Sequence, residues 1–199
     1  MAVNFSESRT KENLMRAFAG ESQARNRYTI AAERAEKEGM YTIADIFRYT
    51  ADQERAHAER YYDLLKALAG ETIHIDGSYP VDQQDSLPGL LRAAEHNEHE
   101  EYEDVYQAFG DTATEEGFHE AASAFYQIAE VEHVHEERFG RLAKLLEDGT
   151  YYGGGEVTKW MCTNCGYIHE GNQAPKYCPA CRHEQGYFIP YEFACYRGE

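Results

Sequence analysis

Positive charge is what this sequence has least of: 19 Lys and Arg stand against 36 Asp and Glu, for a formal net charge of −17. Such a chain repels nucleic-acid phosphates and anionic lipid headgroups, and no local gathering of Lys or Arg reverses the sign. Missing too is any apolar run near the roughly eighteen residues that span a bilayer. The opening Met1-Ala2-Val3-Asn4-Phe5-Ser6-Glu7 lacks the basic start and apolar stretch of a secretory signal. The expectation is a soluble, cytoplasmic protein with no nucleic-acid and no membrane partner. Cysteine is sparse, five residues in 199, and disulfides are disfavoured in a reducing compartment. Four of the five fall in two tight pairs, which makes metal ligation their leading reading.

What is present is ordinary globular material, 42% hydrophobic and 28% charged, enough for one good core and something smaller. Most of the acids must be solvated helix faces, so only core-facing ones call for explanation. Apolar residues recur at helical spacing from Thr10 to Lys37, ending at Gly39, and from Tyr41 to Leu68, ending at Gly70. Glu71 to Leu87, with Gly77 and Pro80, reads as a long crossing connection. A third helix is predicted from near Pro88 to just before Gly110. A fourth follows to Glu147, with Thr112 and Glu115 at capping-box spacing at its start and Gly149 at its end. Four long helices with one long connection suggest an all-α ferritin-like four-helix bundle. After Tyr151-Tyr152 the triplet Gly153-Gly154-Gly155 reads as a flexible linker, and the composition shifts to Cys, Tyr, Pro and Gly. The predicted division is 1–150 and 151–199. The second part is too short to hold a fold by apolar burial alone, so a metal-braced β/loop domain is expected.

The helical part carries an internal repeat. Glu54-Arg55-Ala56-His57-Ala58-Glu59-Arg60-Tyr61 and Glu132-His133-Val134-His135-Glu136-Glu137-Arg138-Phe139 share a Glu-x-x-His-x-x-Arg-aromatic frame. Residues three apart share a helix face, so each frame aims a carboxylate and an imidazole at one point. Steps of seven back, seven on and ten on from Glu54 reach Phe47, Tyr61 and Leu64, and from Glu132 they reach Phe125, Phe139 and Leu142. Both acids therefore lie on apolar stripes. The rival pair Glu130 and His133 falls on the Ser123–Glu137–Gly140 face and is expected at the surface. Glu21 shares a stripe with Leu14, Phe18 and Tyr28. On helix three Glu95, Glu98 and Glu101 all fit a stripe through Leu91, Ala94, Val105 and Phe109, and periodicity alone does not choose between them. A buried carboxylate is costly unless paired or metal-bound. One glutamate from each of two helices with a Glu-x-x-His from each of the other two is the ligand set of di-iron and di-manganese carboxylate bundles. Such donors suit iron or manganese, with zinc also compatible.

Cys162-Thr163-Asn164-Cys165-Gly166 and Cys178-Pro179-Ala180-Cys181 form two Cys-x-x-Cys knuckles separated by twelve residues. Four thiolates so spaced fit one zinc or one iron. The neighbouring di-metal bundle, which needs an electron donor, favours iron; Cys195 is left without a ligand role.

Taken together the chain resembles rubrerythrin over nearly its whole length. The resemblance is carried by Ala17-Phe18-Ala19-Gly20-Glu21-Ser22-Gln23-Ala24-Arg25-Asn26-Arg27-Tyr28, the two Glu-x-x-His frames, Glu98-x-x-Glu101-Tyr102 with Tyr106, and both knuckles. It selects Glu98 and Glu101 on helix three and makes the C-terminal part rubredoxin-like. It implies a non-haem di-iron peroxidase that reduces hydrogen peroxide to water, with three Fe per chain and electrons from an NAD(P)H-dependent reductase or rubredoxin. It further implies that Glu54 and Glu132 bridge the irons, that Glu21 and Glu98 hold one each, and that His135 caps the second. Glu101 and His57 are implied as alternating ligands of the first. Tyr28 and Tyr106 would hydrogen-bond ligand carboxylates or peroxide, and the assembly would be a homodimer. Arg182 departs from the glycine usual in rubredoxins, and Gln107 stands where many relatives have proline. The alternatives are a ferroxidase that handles and stores iron, which leaves the knuckles without purpose, and a non-enzymatic zinc-braced binding module.

Overall fold

A computed structural model describes residues 3–195; Met1, Ala2 and the last four residues lie outside it. Helix α1 (Arg9–Lys37) begins where the Ser8 hydroxyl accepts the Lys11 amide. Helix α2 (Tyr41–Leu64) tightens into a short 3-10 turn at Lys66–Leu68, three residues that periodicity alone had merged with the α-helix. The connection through residue 86 has no regular structure. Helix α3 (Leu87–Glu100) starts with Pro88 in its first turn and the Ser86 hydroxyl on the Gly89 amide. It runs without a break through a π-helical turn (Glu101–Val105) into α4 (Tyr106–Glu116), and α5 (His119–Glu147) completes the four-helix bundle. None of the described helices is long and apolar enough to cross a membrane.

The boundary predicted near Gly110 and Thr112 is corrected: both lie inside α4. The Thr112 hydroxyl donates to the Ala108 carbonyl one turn back, as a mid-helix threonine does, and caps nothing. Gly110 is there for packing, because a Cβ would lie 2.5 Å from the Tyr126 ring of α5. The helix stops instead at Gly117 (φ 87°). The stripe of helix three is corrected as well. The π turn holds one extra residue, so beyond Glu101 the buried positions are Tyr106, Gly110 and Ala113, while Val105 and Phe109 are only half-buried.

The bundle core is in two parts. One gathers Tyr28, Phe47, Leu91, Phe139 and Leu142; the other gathers Leu14, Tyr61, Tyr106, Phe125 and Ile128. Between them, where an apolar layer would otherwise continue, Glu21, Glu54, Glu98, Glu132 and His135 are buried.

The C-terminal region is a three-stranded antiparallel sheet in the order β2-β1-β3, built from β1 (Lys159–Cys162), β2 (Ile168–Glu170) and β3 (Phe188–Pro190). It has a small core of Trp160, Ala174 and Phe188 around two of the cysteines. The glycine triplet is no free tether here: Gly153 bridges to Gln173, and Tyr151 before it is buried in the bundle with its hydroxyl 2.8 Å from that of Thr42. The Trp160 indole then donates to the Tyr151 carbonyl at 2.9 Å, so the chain enters the sheet from an anchored point.

Candidate metal centres

In the bundle, one ligand atom from each of Glu21, Glu54, His57 and Glu132 lies within 4.8 Å of the others, and the same holds for Glu54, Glu98, Glu132 and His135. The two sets share Glu54 and Glu132. Each frame closes on itself, with His57 Nδ1 at 3.2 Å from Glu54 and His135 Nδ1 at 2.8 Å from Glu132. Each also reaches across: His57 lies 3.0 Å from Glu132 and His135 3.1 Å from Glu54. The Tyr28 hydroxyl of α1 donates to Glu98 of α3, and the Tyr106 hydroxyl donates to Glu21 of α1 at 2.5 Å. The arrangement is thus close to two-fold symmetric. Tyr28 follows Glu21 by seven residues and Tyr106 follows Glu98 by eight; the extra residue of the π turn restores the match.

The symmetry fails in three places. Gln53, just before Glu54, reaches across to His135 and meets its Nε2 at 3.2 Å, while the equivalent residue before Glu132 is Val131, which can hold nothing. Arg138 backs Gln53 at 3.2 Å and Thr50 at 3.0 Å. His135 is therefore fully buried and fixed, whereas the His57 side chain keeps 12% exposure and, among the described residues, has no hydrogen-bond partner behind its ring. Third, Glu101, three residues after Glu98, has only Ala24 as its counterpart after Glu21. Glu101 falls in neither ligand set; its carboxylate borders a cavity at the edge of the cluster.

The electrostatics demand cations. Burial, with the charge of neighbouring Glu132, pushes the Glu21 carboxyl well up; burial and Glu54 raise Glu98 to about 8, and burial and Glu21 raise Glu101. Burial also works against ionised Glu54, but the close imidazoles of His135 and His57 overcome it and hold the group at about 2. His57 and His135 are raised despite burial, chiefly by the close Glu132 carboxylate, His135 to about 12. These contacts are short but poorly directed: one or more carboxylate oxygens of Glu21, Glu54, Glu98 and Glu132, together with His135 Nδ1, face inward without a well-aligned hydrogen bond. Orphaned buried acceptors at this density are costly. A pair of metal ions satisfies them, and the donor set fits iron.

Sequence reasoning missed Gln53, Thr50 and Tyr61. The Tyr61 hydroxyl is buried and unpartnered beside Tyr106. Arg138 was visible in the repeated frame, but its twin Arg60 is a surface residue paired with Glu120, so the repeat carried no sign that one arginine has an inward task. Glu130 is exposed, and the His133 side chain keeps 41% exposure on Glu136.

In the C-terminal region one sulfur from each of Cys162, Cys165, Cys178 and Cys181 lies within the same 4.8 Å limit, with Cys162–Cys181 and Cys165–Cys178 both at 3.7 Å. Thiolates about 2.3 Å from one tetrahedral ion stand roughly 3.8 Å apart. The knuckles match: Gly166 (φ 79°) and Arg182 (φ 67°) each follow the second cysteine in the left-handed conformation. Their amides donate to the Cys162 and Cys178 carbonyls at 2.8 and 2.9 Å. The His183 amide helps hold Cys181 down at about 6, and burial lifts Cys162 to about 12, an uneven cage that a cation levels. Cys195 is exposed and outside the cage.

Fold and sites together define a ferritin-like di-iron carboxylate protein with a rubredoxin-like four-cysteine iron site, three Fe per chain. The rubrerythrin family profile matches residues 12–143, and the profile of the rubrerythrin rubredoxin-like domain matches 160–189. The chain is 49% identical over 183 residues to rubrerythrin of Clostridium perfringens, covering 91% of this chain and 93% of that one. It is 45% identical over 181 residues to rubrerythrin of Nitratidesulfovibrio vulgaris, with coverage of 91% and 93%. Nigerythrin, solved in a mixed-valence state, superposes with TM-score 0.61 at 30% identity over 96% of this chain and 94% of that one. The bacterioferritin of Desulfovibrio desulfuricans, at 24% identity and TM-score 0.62 over 70% of this chain and 80% of that one, shares the bundle fold. The chain belongs to the rubrerythrin family, the peroxide-reducing oxidative-stress proteins.

Proposed function

We propose that peroxide reduction in this chain is carried by Glu21, Glu54, His57, Glu98, Glu101, Glu132 and His135 as ligands of two irons, and by Cys162, Cys165, Cys178 and Cys181 as ligands of a third. The observation behind this reading is the pair of overlapping ligand sets with their inward atoms unsatisfied. When bound, the iron pair supplies the two electrons that, with two protons, convert one hydrogen peroxide to two waters, and the cysteine-held iron returns electrons one at a time.

The protein's own residues shape that reaction. Glu54 and Glu132 lie in both sets and would each serve both ions; Glu21 and Glu98 would each serve one, oriented by Tyr106 and Tyr28. Burial, with the charge of Glu98 at Tyr28 and of Glu101 at Tyr106, keeps both phenols protonated, so they remain hydrogen-bond donors throughout. Gln53 and Arg138 fix His135. His57 lacks such a brace and Glu101 stands on the same side, so these two would serve as alternative ligands, the anionic oxygen suiting a ferric ion and the neutral imidazole a ferrous one. Electrons come from an NAD(P)H-dependent reductase or rubredoxin, the working unit is a cytoplasmic homodimer, and the division of labour falls at 150/151.

The test is stopped-flow mixing of the reduced, iron-loaded chain with peroxide and with dioxygen. Faster oxidation by peroxide is expected. Faster oxidation by dioxygen, with many irons accumulating per chain, would replace this reading with iron storage.

A further inference from the structure

A cavity of about 210 Å³ lies against the carboxylate cluster, and Glu101 and Tyr106 contribute to its lining. It has room for several water-sized molecules. Across it, Tyr79 of the long connection faces the bundle. A Cβ built on Gly20 would lie 3.8 Å from the Tyr79 ring and 4.0 Å from a Glu101 carboxylate oxygen, so ring and carboxylate meet at the bare patch of α1 that this glycine leaves. Glu21, Glu54, Glu98 and Glu132 are sealed, whereas Glu101 borders open space.

The segment that carries Tyr79 is tied down at both ends. At one end the Arg16 guanidinium donates to the Asp76 carbonyl at 3.0 Å and to its carboxylate at 2.7 Å, while the Tyr79 hydroxyl donates to the Arg16 carbonyl at 3.2 Å. At the other end Asp82 accepts from the Asn97 amide at 2.7 Å and lies 3.4 Å from the Arg27 guanidinium. Asn97 immediately precedes Glu98, and Arg16 and Arg27 flank Glu21 on α1. Residues 76–82 therefore span from α1 to α3 directly over Glu101. The Tyr79 side chain is not locked in the core: the residue keeps 38% exposure.

We propose that residues 76–82 form a strap over the substrate entrance, and that Tyr79 sets the upper size of the peroxide admitted: hydrogen peroxide passes and bulky aryl hydroperoxides are turned away. A sealed carboxylate cluster favours a neutral visitor over an anion, and the Tyr79 ring takes up room in the cavity beside Glu101 that a bulky substituent would need. This inference rests on the peroxide-reducing reading of the site and adds a specificity-determining residue to it.

The test uses the full-length, iron-loaded chain and the variants Tyr79→Ala and Arg16→Ala. The first removes the ring; the second releases Asp76 and takes a side chain from the cavity lining while the ring and its acceptor, the Arg16 carbonyl, remain, so both open the entrance by different means. In both, the ratio of kcat/KM for cumene hydroperoxide to that for hydrogen peroxide should rise by about tenfold or more, the scale of a steric filter. A readout independent of turnover is the association rate of imidazole, at a pH well above its own pKa so that the ring is neutral, with the oxidised protein, followed in the visible spectrum; it should rise by about threefold or more. If both quantities stay within about twofold of the unaltered chain, the strap does not control access, and the peroxidase reading stands unharmed. If imidazole association responds to Tyr79 but the unaltered chain does not reduce hydrogen peroxide, the entrance stands and the peroxidase reading falls.

Discussion

Single residues in the metal centres trade proton occupancy against metal. In the metal-free chain Glu98 is held at about 8 against an ordinary 4.5, so its proton favours the folded state below pH 4.5 and that contribution disappears as pH rises through 8. His135, at about 12 against 6.5, likewise stabilises most below pH 6.5 and loses its contribution on the way to pH 12. Glu54, held at about 2, works in the opposite direction but only below pH 4.5. Between pH 6 and 9 the metal-free chain should therefore melt at steadily lower temperature. The metal-loaded chain should not follow, because the ions take the place of those protons. Calorimetry on both forms checks this, and a flat or rising profile for the metal-free chain would contradict it. Arg182 offers a second measurement. Its left-handed backbone copies that of Gly166, so the knuckle keeps its shape at a steric cost of about 1 kcal/mol. Arg182→Gly should stabilise the cysteine domain by about that amount in denaturant titrations read at the metal–thiolate absorption. A loss of stability would show that the arginine side chain contributes more than the strain costs.

At the level of elements, the π turn at Glu101–Val105 is the device that reconciles two demands on one helix. It places Glu101 beside the cavity while returning Tyr106, Gly110 and Ala113 to the buried stripe. Removing the exposed Glu103 would leave those three residues seven, eleven and fourteen positions after Glu98, all on one face of a plain α-helix. That deletion should leave the bundle folded, with its melting temperature within about 5 °C of the parent. Deleting the equally exposed Gln127 from regular α5 would turn Glu132, His135 and Phe139 by about 100° relative to the preceding turns. Cooperative melting or bundle metal, or both, should then be lost. Equal effects from the two deletions would mean that the π turn does not set the register of this helix.

For the whole molecule, the notable contact is the one that docks the cysteine domain on the bundle. Gly186 sits so close to the turn between α1 and α2 that a Cβ there would lie 1.8 Å from the Gly39 carbonyl oxygen, backbone that cannot swing aside. Tyr41 and Tyr187 pack at 4.4 Å beside it, and Arg141 pairs with Glu192. Gly186→Ala should undock the domain while each part keeps its own core and metal. Proteolysis around 153–156 should accelerate several-fold, with bundle melting nearly unchanged. If proteolysis stays slow, the anchored Tyr151 is sufficient to hold the two parts together.

Much of this protein was legible before any coordinates. The apolar stripes through Glu21, Glu54 and Glu132 needed only a 3.6-residue period, because a long regular helix has one buried face and the acids on it stand out. Cysteine spacing alone announced the second metal cage. Local patterns failed where a residue's role depends on a distant neighbour. Gly110 looked like a helix stop because nothing nearby in the chain reveals the Tyr126 ring that needs its space. Val105 and Phe109 looked core-facing because a π turn adds a residue without any composition to mark it. Gln53, Arg138 and Tyr79 gained their tasks from what lies across a helix interface or beneath a loop. Helical period is a property of neighbouring residues and can be counted along the chain; a brace, a bulge and an entrance are relations between segments, which exist only once packing has brought those segments together.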